Sequence, residues 1–196
     1  EFDKFDIRYW HIPFTGIPGG DFIDHFLLDE DHLALILGDV MGKKWGAWYF
    51  AYAYAGYIRS AIHSVIEEGD VSSPGKKISK VNKLVYQDSK ISEVFSTLSV
   101  VVIDKKNMTL KYSGAGDMPI LYKSKSTGEL KRIDSKGLLL GFNKDAIFDD
   151  ANIQMNPDDF VIMTTDGMVE CRNADGNQFG VSKLVKTIQK DNFIKS

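Results

Sequence analysis

The second half of the sequence limits the fold most. Residues 95–103, 110–113, 120–122, 130–133, 147–155 and 160–164 are short runs rich in β-branched and aromatic side chains. Turn signals such as Lys106-Asn107, Thr127-Gly128 and Pro157-Asp158 divide them, which predicts a meander of antiparallel strands. In the first half, residues 5–12 alternate as a strand does, and 13–20 form a loop dense in Gly and Pro. Apolar runs at 26–28 and 33–37 flank Asp29-Glu30-Asp31-His32 and predict a hairpin ending at Gly38-Asp39. From Gly46 to Ile66 apolar residues cover nearly every face, so this stretch reads as a buried helix stopped by Gly69-Asp70. A more polar helix is expected over 74–86, where Ile78, Val81, Leu84 and Val85 keep helical spacing, and a last one over 182–190. Two helices between strand groups, without strict βαβ alternation, predict an α+β fold: a sandwich of two antiparallel β-sheets flanked by α-helices.

The 196 residues, 43% hydrophobic and 26% charged, suffice for one well-buried core and read as a single domain over 1–196. The 24 Lys plus Arg are scattered among 27 Asp plus Glu, for a net charge of -3, which argues against nucleic acid as a partner. Cys171 is the only cysteine, so no intrachain disulfide forms, and a cytoplasmic location is expected. The apolar stretch at 45–58 is ended by Arg59 and His63 before the roughly 20 residues needed to span a bilayer. Residues 1–4 do not begin a signal peptide, and a membrane-anchored sensor region outside these residues is compatible with the reading.

Three aspartates share one local context, Gly20-Asp21, Gly38-Asp39 and Asp166-Gly167. Each is expected at a strand end or the turn beside it, with a glycine that lets backbone approach a ligand. Hard divalent cations prefer oxygen ligands, and two of them about 3.5–4 Å apart can clamp a phosphoryl oxygen during in-line displacement. Taken singly, an Asp-Gly pair is more often just a turn.

The wider runs around these aspartates decide the matter. Gly19-Gly20-Asp21-Phe22-Ile23-Asp24, Leu37-Gly38-Asp39-Val40-Met41-Gly42-Lys43, Phe95-Ser96-Thr97-Leu98, Leu110-Lys111-Tyr112-Ser113-Gly114-Ala115-Gly116, Gly137-Leu138-Leu139-Leu140-Gly141 and Thr165-Asp166-Gly167-Met168-Val169-Glu170, followed by Gln178-Phe179-Gly180, span nearly the whole chain. In this order they resemble the PPM phosphatases, the protein phosphatase type 2C superfamily, in its SpoIIE-like bacterial branch. The resemblance implies a metal-dependent protein serine/threonine phosphatase with two Mn²⁺ or Mg²⁺ ions and no phosphoenzyme intermediate. Asp39 would bridge both metals with the Val40 carbonyl as a further ligand, Asp21 would serve the first metal or its water, and Asp166 the other. Asp24 would stand behind these ligands. The three aspartates are then expected to converge at a shared edge of two sheets. The implied substrate is a phosphorylated signalling protein, an anti-anti-sigma protein of the STAS type in a partner-switching pathway, with an upstream sensor or regulatory domain and a possible homodimer as further partners.

The sequence departs from the branch in three places. The aspartate of an Asp-Asp-x-Thr-like run that usually follows the last helix has no counterpart before Ser196, and Asp191 comes too early, so the domain is expected to lack its C-terminal strand. Asp117 in Gly116-Asp117-Met118-Pro119 stands where the branch commonly has His; this could alter metal affinity, phosphate contact or nothing. Trp45 and Trp48 replace smaller residues on the helix that follows Asp39, as a partner-binding patch that moves a metal ligand or as core. The first two departures motivate a rival reading, a pseudo-phosphatase that binds a phosphoprotein without turnover. Other signals carry little: residues 38–43 are one residue short of a phosphate-binding loop, 173–177 lack the glutamate of a calcium loop, and His11, His25, His32 and His63 form no ligand pair.

Overall fold

The computed structural model describes residues 5–12, 20–41, 47–67 and 73–190, with the backbone alone at 47–52 and 66–67. In chain order the elements are β1 (Asp21–Leu27), β2 (His32–Met41), α1 (Ala47–Glu67), α2 (Pro74–Ser92), β3 (Phe95–Asp104), β4 (Thr109–Ala115), β5 (Ile120–Lys123), β6 (Leu130–Ile133), β7 (Ala151–Gln154), β8 (Phe160–Ile162), α3 (Asp166–Glu170) and α4 (Gly180–Gln189). They fall into two compact units, Glu1–Asp117 with Ser135–Met155, and Met118–Asp134 with Asn156–Ser196. The expected loop at 13–19, the stop at Gly69-Asp70, Trp45 and the side chain of Trp48 lie outside the described residues.

The first unit holds a five-stranded antiparallel sheet of order β1-β2-β3-β4-β7. Strand side chains alternate between faces. One face, with Phe22, Ala34, Ile36, Val40, Leu98, Val100 and Val102, joins Ile58, Ile62 and Val65 of α1 and Ile78, Val81 and Val85 of α2 in one core. Helix α2 starts where the backbone donors of its first turn are satisfied: Ser73 Oγ accepts from Lys76 N at 3.2 Å and Asp150 Oδ1 from Gly75 N at 2.6 Å. It runs to Ser92, beyond the expected end at residue 86, and the added turns bury Ser89 with Gln87 and Lys90 outward.

Two expectations change here. Residues 5–12 alternate as expected but form no strand, and Tyr9, Trp10 and Ile12 are exposed; alternation makes a strand only where a neighbouring strand takes up the backbone groups. Asp24 is three residues from Asp21 and therefore on the other face of β1. There it accepts from Arg59 at 2.7 and 3.0 Å and contacts His63 Nε2 at 3.3 Å, tying β1 to α1 rather than standing behind a ligand.

Burial pushes the Asp24 carboxyl up, but hydrogen bonds and charge from Arg59, with His25 N and His63, outweigh it and leave it below its ordinary value. A depressed folded pKa stabilises above the unfolded value of about 3.9 and is lost as pH falls through the folded one. Acid titration of stability should therefore be shallower in Asp24→Asn than in the parent below about pH 4. Parallel titrations of the two proteins would disprove the pairing's contribution.

The second unit has the antiparallel order β6-β5-β8 with α3 and α4. Leu121 of β5, Val169 of α3, and Leu184 and Ile188 of α4 form its core. The buried Lys123 ammonium donates to Ile188 O at 2.8 Å and so caps the end of α4. Antiparallel sheets with helices agree with the expected α+β class.

Candidate metal centre

On the sheet face opposite the helices, Asp21 and Asp39 are cross-strand partners, so their side chains share that face. Val40 N donates to Gly20 O at 3.1 Å, which makes the adjoining Asp21–Asp39 pair a non-hydrogen-bonded one, the closer kind, with Cα atoms about 4.5 Å apart. Directly opposed like charges destabilise a sheet.

The backbone of Asp39 is fixed from β3 on both sides. Its amide donates to Thr97 Oγ1 at 3.0 Å, and its carbonyl accepts from Ser96 Oγ at 2.9 Å. Gly20 has to be glycine because any Cβ there would collide with the Val40 carbonyl oxygen and stand 2.8 Å from Asp39 Oδ1. A carboxylate oxygen of Asp39 and the Val40 carbonyl thus lie beside one side-chain-free position, and Asp21 follows it on the same sheet face. Among the described residues no group of three or more His, Cys, Asp or Glu is clustered for a metal. The donor set still fits hard divalent cations, since Mg²⁺ is commonly held through one or two carboxylates with water and phosphate oxygens completing its shell. Gly20→Ala is expected to weaken Mn²⁺ binding measured by calorimetry while the protein stays folded. Parent-like affinity would show that this close approach is irrelevant to binding.

Asp166 belongs to the second unit, where it is the exposed first residue of α3 after Thr165. The sequence places it at a strand end or turn; the structure puts it in a helical first turn, because Val169 anchors that turn in the core with Leu121 and Leu184. A carboxylate there complements the helix dipole.

The support behind Asp39 extends further. Leu140 N donates to Ser96 O at 2.9 Å, and the loop bearing Leu140 is held by the fully buried Asn82 of α2. Asn82 Nδ2 donates to Asn143 O at 2.8 Å and Lys144 O at 3.1 Å, while its Oδ1 accepts from Gly141 N at 2.9 Å. Gly141 has φ +80 and packs where a Cβ would strike Ser89. Asp117 accepts from Ser99, from Tyr112 OH at 2.7 Å and from Ser135 Oγ at 2.8 Å. Sequence reading assigned no role to Ser96, Thr97, Asn82 or Ser99. The motif Phe95-Ser96-Thr97-Leu98 was the available signal for the first two; the contacts of Asn82 and Ser99 span 59 and 18 positions and leave no local trace.

The family profile described as Stage II sporulation protein E (SpoIIE) matches residues 29–194. The chain belongs to the SpoIIE family. Among curated relatives it is 28% identical over 207 residues to protein IcfG of Synechocystis, covering 93% of this chain and 32% of that protein. It is 26% identical over 157 residues to the phosphoserine phosphatase RsbU of Bacillus subtilis, covering 80% and 44%. The chain therefore spans about a third to under half of these relatives. Among solved structures, the RsbU and RsbW domains of a Mycobacterium tuberculosis protein superpose with TM-score 0.70 at 23% identity, over 87% of this chain and 45% of that one. The PP2C phosphatase domain of SpoIIE from Bacillus subtilis, with a fragment of its regulatory domain, gives 0.66 at 19%, over 90% and 48%. These likenesses place this SpoIIE-family chain in the PP2C fold.

Proposed function

We propose that this SpoIIE-family chain hydrolyses phosphoserine or phosphothreonine in a protein substrate, as the catalytic part of a cytoplasmic signalling phosphatase. The observation that carries the reading is the cross-strand Asp21–Asp39 pair on one sheet face, with the Val40 carbonyl beside the side-chain-free Gly20, a donor set suited to hard divalent cations. Asp21, Asp39 and the Val40 carbonyl would hold two Mn²⁺ or Mg²⁺ ions together with Asp166, whose part rests on its family motif. When bound, such ions supply a water of lowered pKa and offset charge on the phosphoryl oxygens. The chain's own share is to hold the carboxylates rigid: Thr97 and Ser96 fix the Asp39 backbone, and Gly20 keeps the approach open.

The relatives support a substrate class. RsbU is a phosphoserine phosphatase, and one structural neighbour pairs an RsbU domain with an RsbW domain. Another belongs to the bacterial stressosome. These support a phosphorylated STAS-type protein in a partner-switching pathway, with a sensor or regulatory domain upstream. No helix among the described residues is long and apolar enough to cross a membrane.

The test is Mn²⁺-dependent phosphate release from a phosphorylated STAS-type protein by the full-length protein. Multiple turnovers that stop on chelation are expected. Tight binding of the phosphoprotein at saturating Mn²⁺ with no phosphate released would replace this reading by the pseudo-phosphatase one.

A further inference from the structure

Asp117 is an acid where the branch commonly has histidine, and nothing in the reading above gives it work. Its carboxylate receives hydroxyl hydrogen bonds from three separate segments, Ser99 of β3, Tyr112 of β4 and Ser135 after β6. Among the described residues no lysine, arginine or histidine pairs with it. Glycine at 114 makes room for it, since a Cβ there would collide with both carboxylate oxygens. Burial pushes the carboxyl up against the opposing pull of Ser99, Tyr112 and Ser135, and it remains above the ordinary carboxylate value. A group in such surroundings costs stability unless its acceptors are all used.

What the cluster holds is the β3 segment under the metal centre. Ser99 lies two residues from Thr97, roughly 7 Å along the strand and on the same face. Thr97 is the cross-strand partner of Asp39 and accepts its amide proton. The contacts therefore run from the Asp117 carboxylate to Ser99, along β3 to Thr97, and on to Asp39.

We propose that Asp117 is a positioning residue, which through Ser99 and Thr97 fixes the backbone of Asp39 and so sets the affinity of the Asp21–Asp39 pair for a divalent cation. The proposal rests on the metal-centre reading, and its test separates the two. In metal-free full-length protein, Asp117→Ala should speed hydrogen exchange at the Asp39 amide by about tenfold or more relative to amides of α4, because the local opening free energy falls. In the same variant the Mn²⁺ dissociation constant by calorimetry should rise about 10- to 100-fold, as for loss of a partner that orients a ligand. The kcat at saturating Mn²⁺ should stay at the parent value. Asp117→Asn keeps an acceptor oxygen and should recover part of both effects. Unchanged exchange at Asp39, or a lowered kcat with unchanged Mn²⁺ affinity, overturns the proposal. Where Asp117→Ala does not fold, Ser99→Ala removes the single link to β3 and must give the same two shifts; parent-like values there overturn it as well. Failure of the parent protein to bind Mn²⁺ would defeat the proposed function, while the exchange measurement would still decide the role of Asp117.

Discussion

Replacing Asp39 by asparagine is expected to lower Mn²⁺-dependent turnover of the full-length protein by at least about 100-fold, because loss of even an indirect partner of a metal ligand commonly costs 10–100-fold. The amide keeps the shape of the side chain but gives up the charge that, on the proposed function, would anchor the cations. Folding should survive. The Asp39 backbone is held by the Thr97 and Ser96 hydroxyls, which do not depend on its carboxylate. Added Mn²⁺ should raise the melting temperature of the parent and leave the variant's unchanged. Normal turnover with normal metal dependence in the variant would contradict the bridging role of Asp39.

Asn82→Leu should produce the largest loss of stability among single changes near the site. The leucine matches asparagine in size, yet it withdraws one acceptor from Gly141 N and two donors from Asn143 O and Lys144 O. A buried group left unpaired costs about 1–3 kcal/mol, so a total of roughly 2–4 kcal/mol is expected once water satisfies the more accessible carbonyls. For a chain of this length that lowers the melting temperature by roughly 5–15 °C. Because the same loop donates Leu140 N to Ser96, and Ser96 holds Asp39 O, the Mn²⁺ affinity should fall as well. A variant that melts with the parent would show that the loop is held by other contacts.

The sequence made the strand and helix order readable because both periodicities are strong. Ile78, Val81 and Val85 lie on one helix face, and the alternating Ala34, Ile36 and Val40 on one strand face. Asp21 and Asp39 were singled out by their motifs, and their register pairing follows from a hairpin turn in which Asp29 accepts from the amides of Asp31 and His32. Other expectations failed for identifiable reasons. The strand at residues 5–12 fails because pairing is a property of two segments, and a sequence shows one at a time. Asp24 was misplaced because its motif says nothing of strand parity, which alone separates it from Asp21. The expected strand at 147–155 shrinks to β7, since its first residues serve α2 instead, with Asp150 capping Gly75 and Phe148 in the helix-side core.

The two units interleave along the chain. The first needs Ser135–Met155, yet Met118–Asp134 is made before that segment and belongs to the second. During synthesis at about 5–20 residues per second, α2 therefore exists for several seconds before Asp150 can cap it or the loop gripped by Asn82 arrives. Strand β4 likewise waits for β7 as its outer neighbour. A chain ended just past residue 134 would carry β1 to β4 and both long helices with these closing contacts missing, an intermediate whose bare β4 edge invites pairing with another chain.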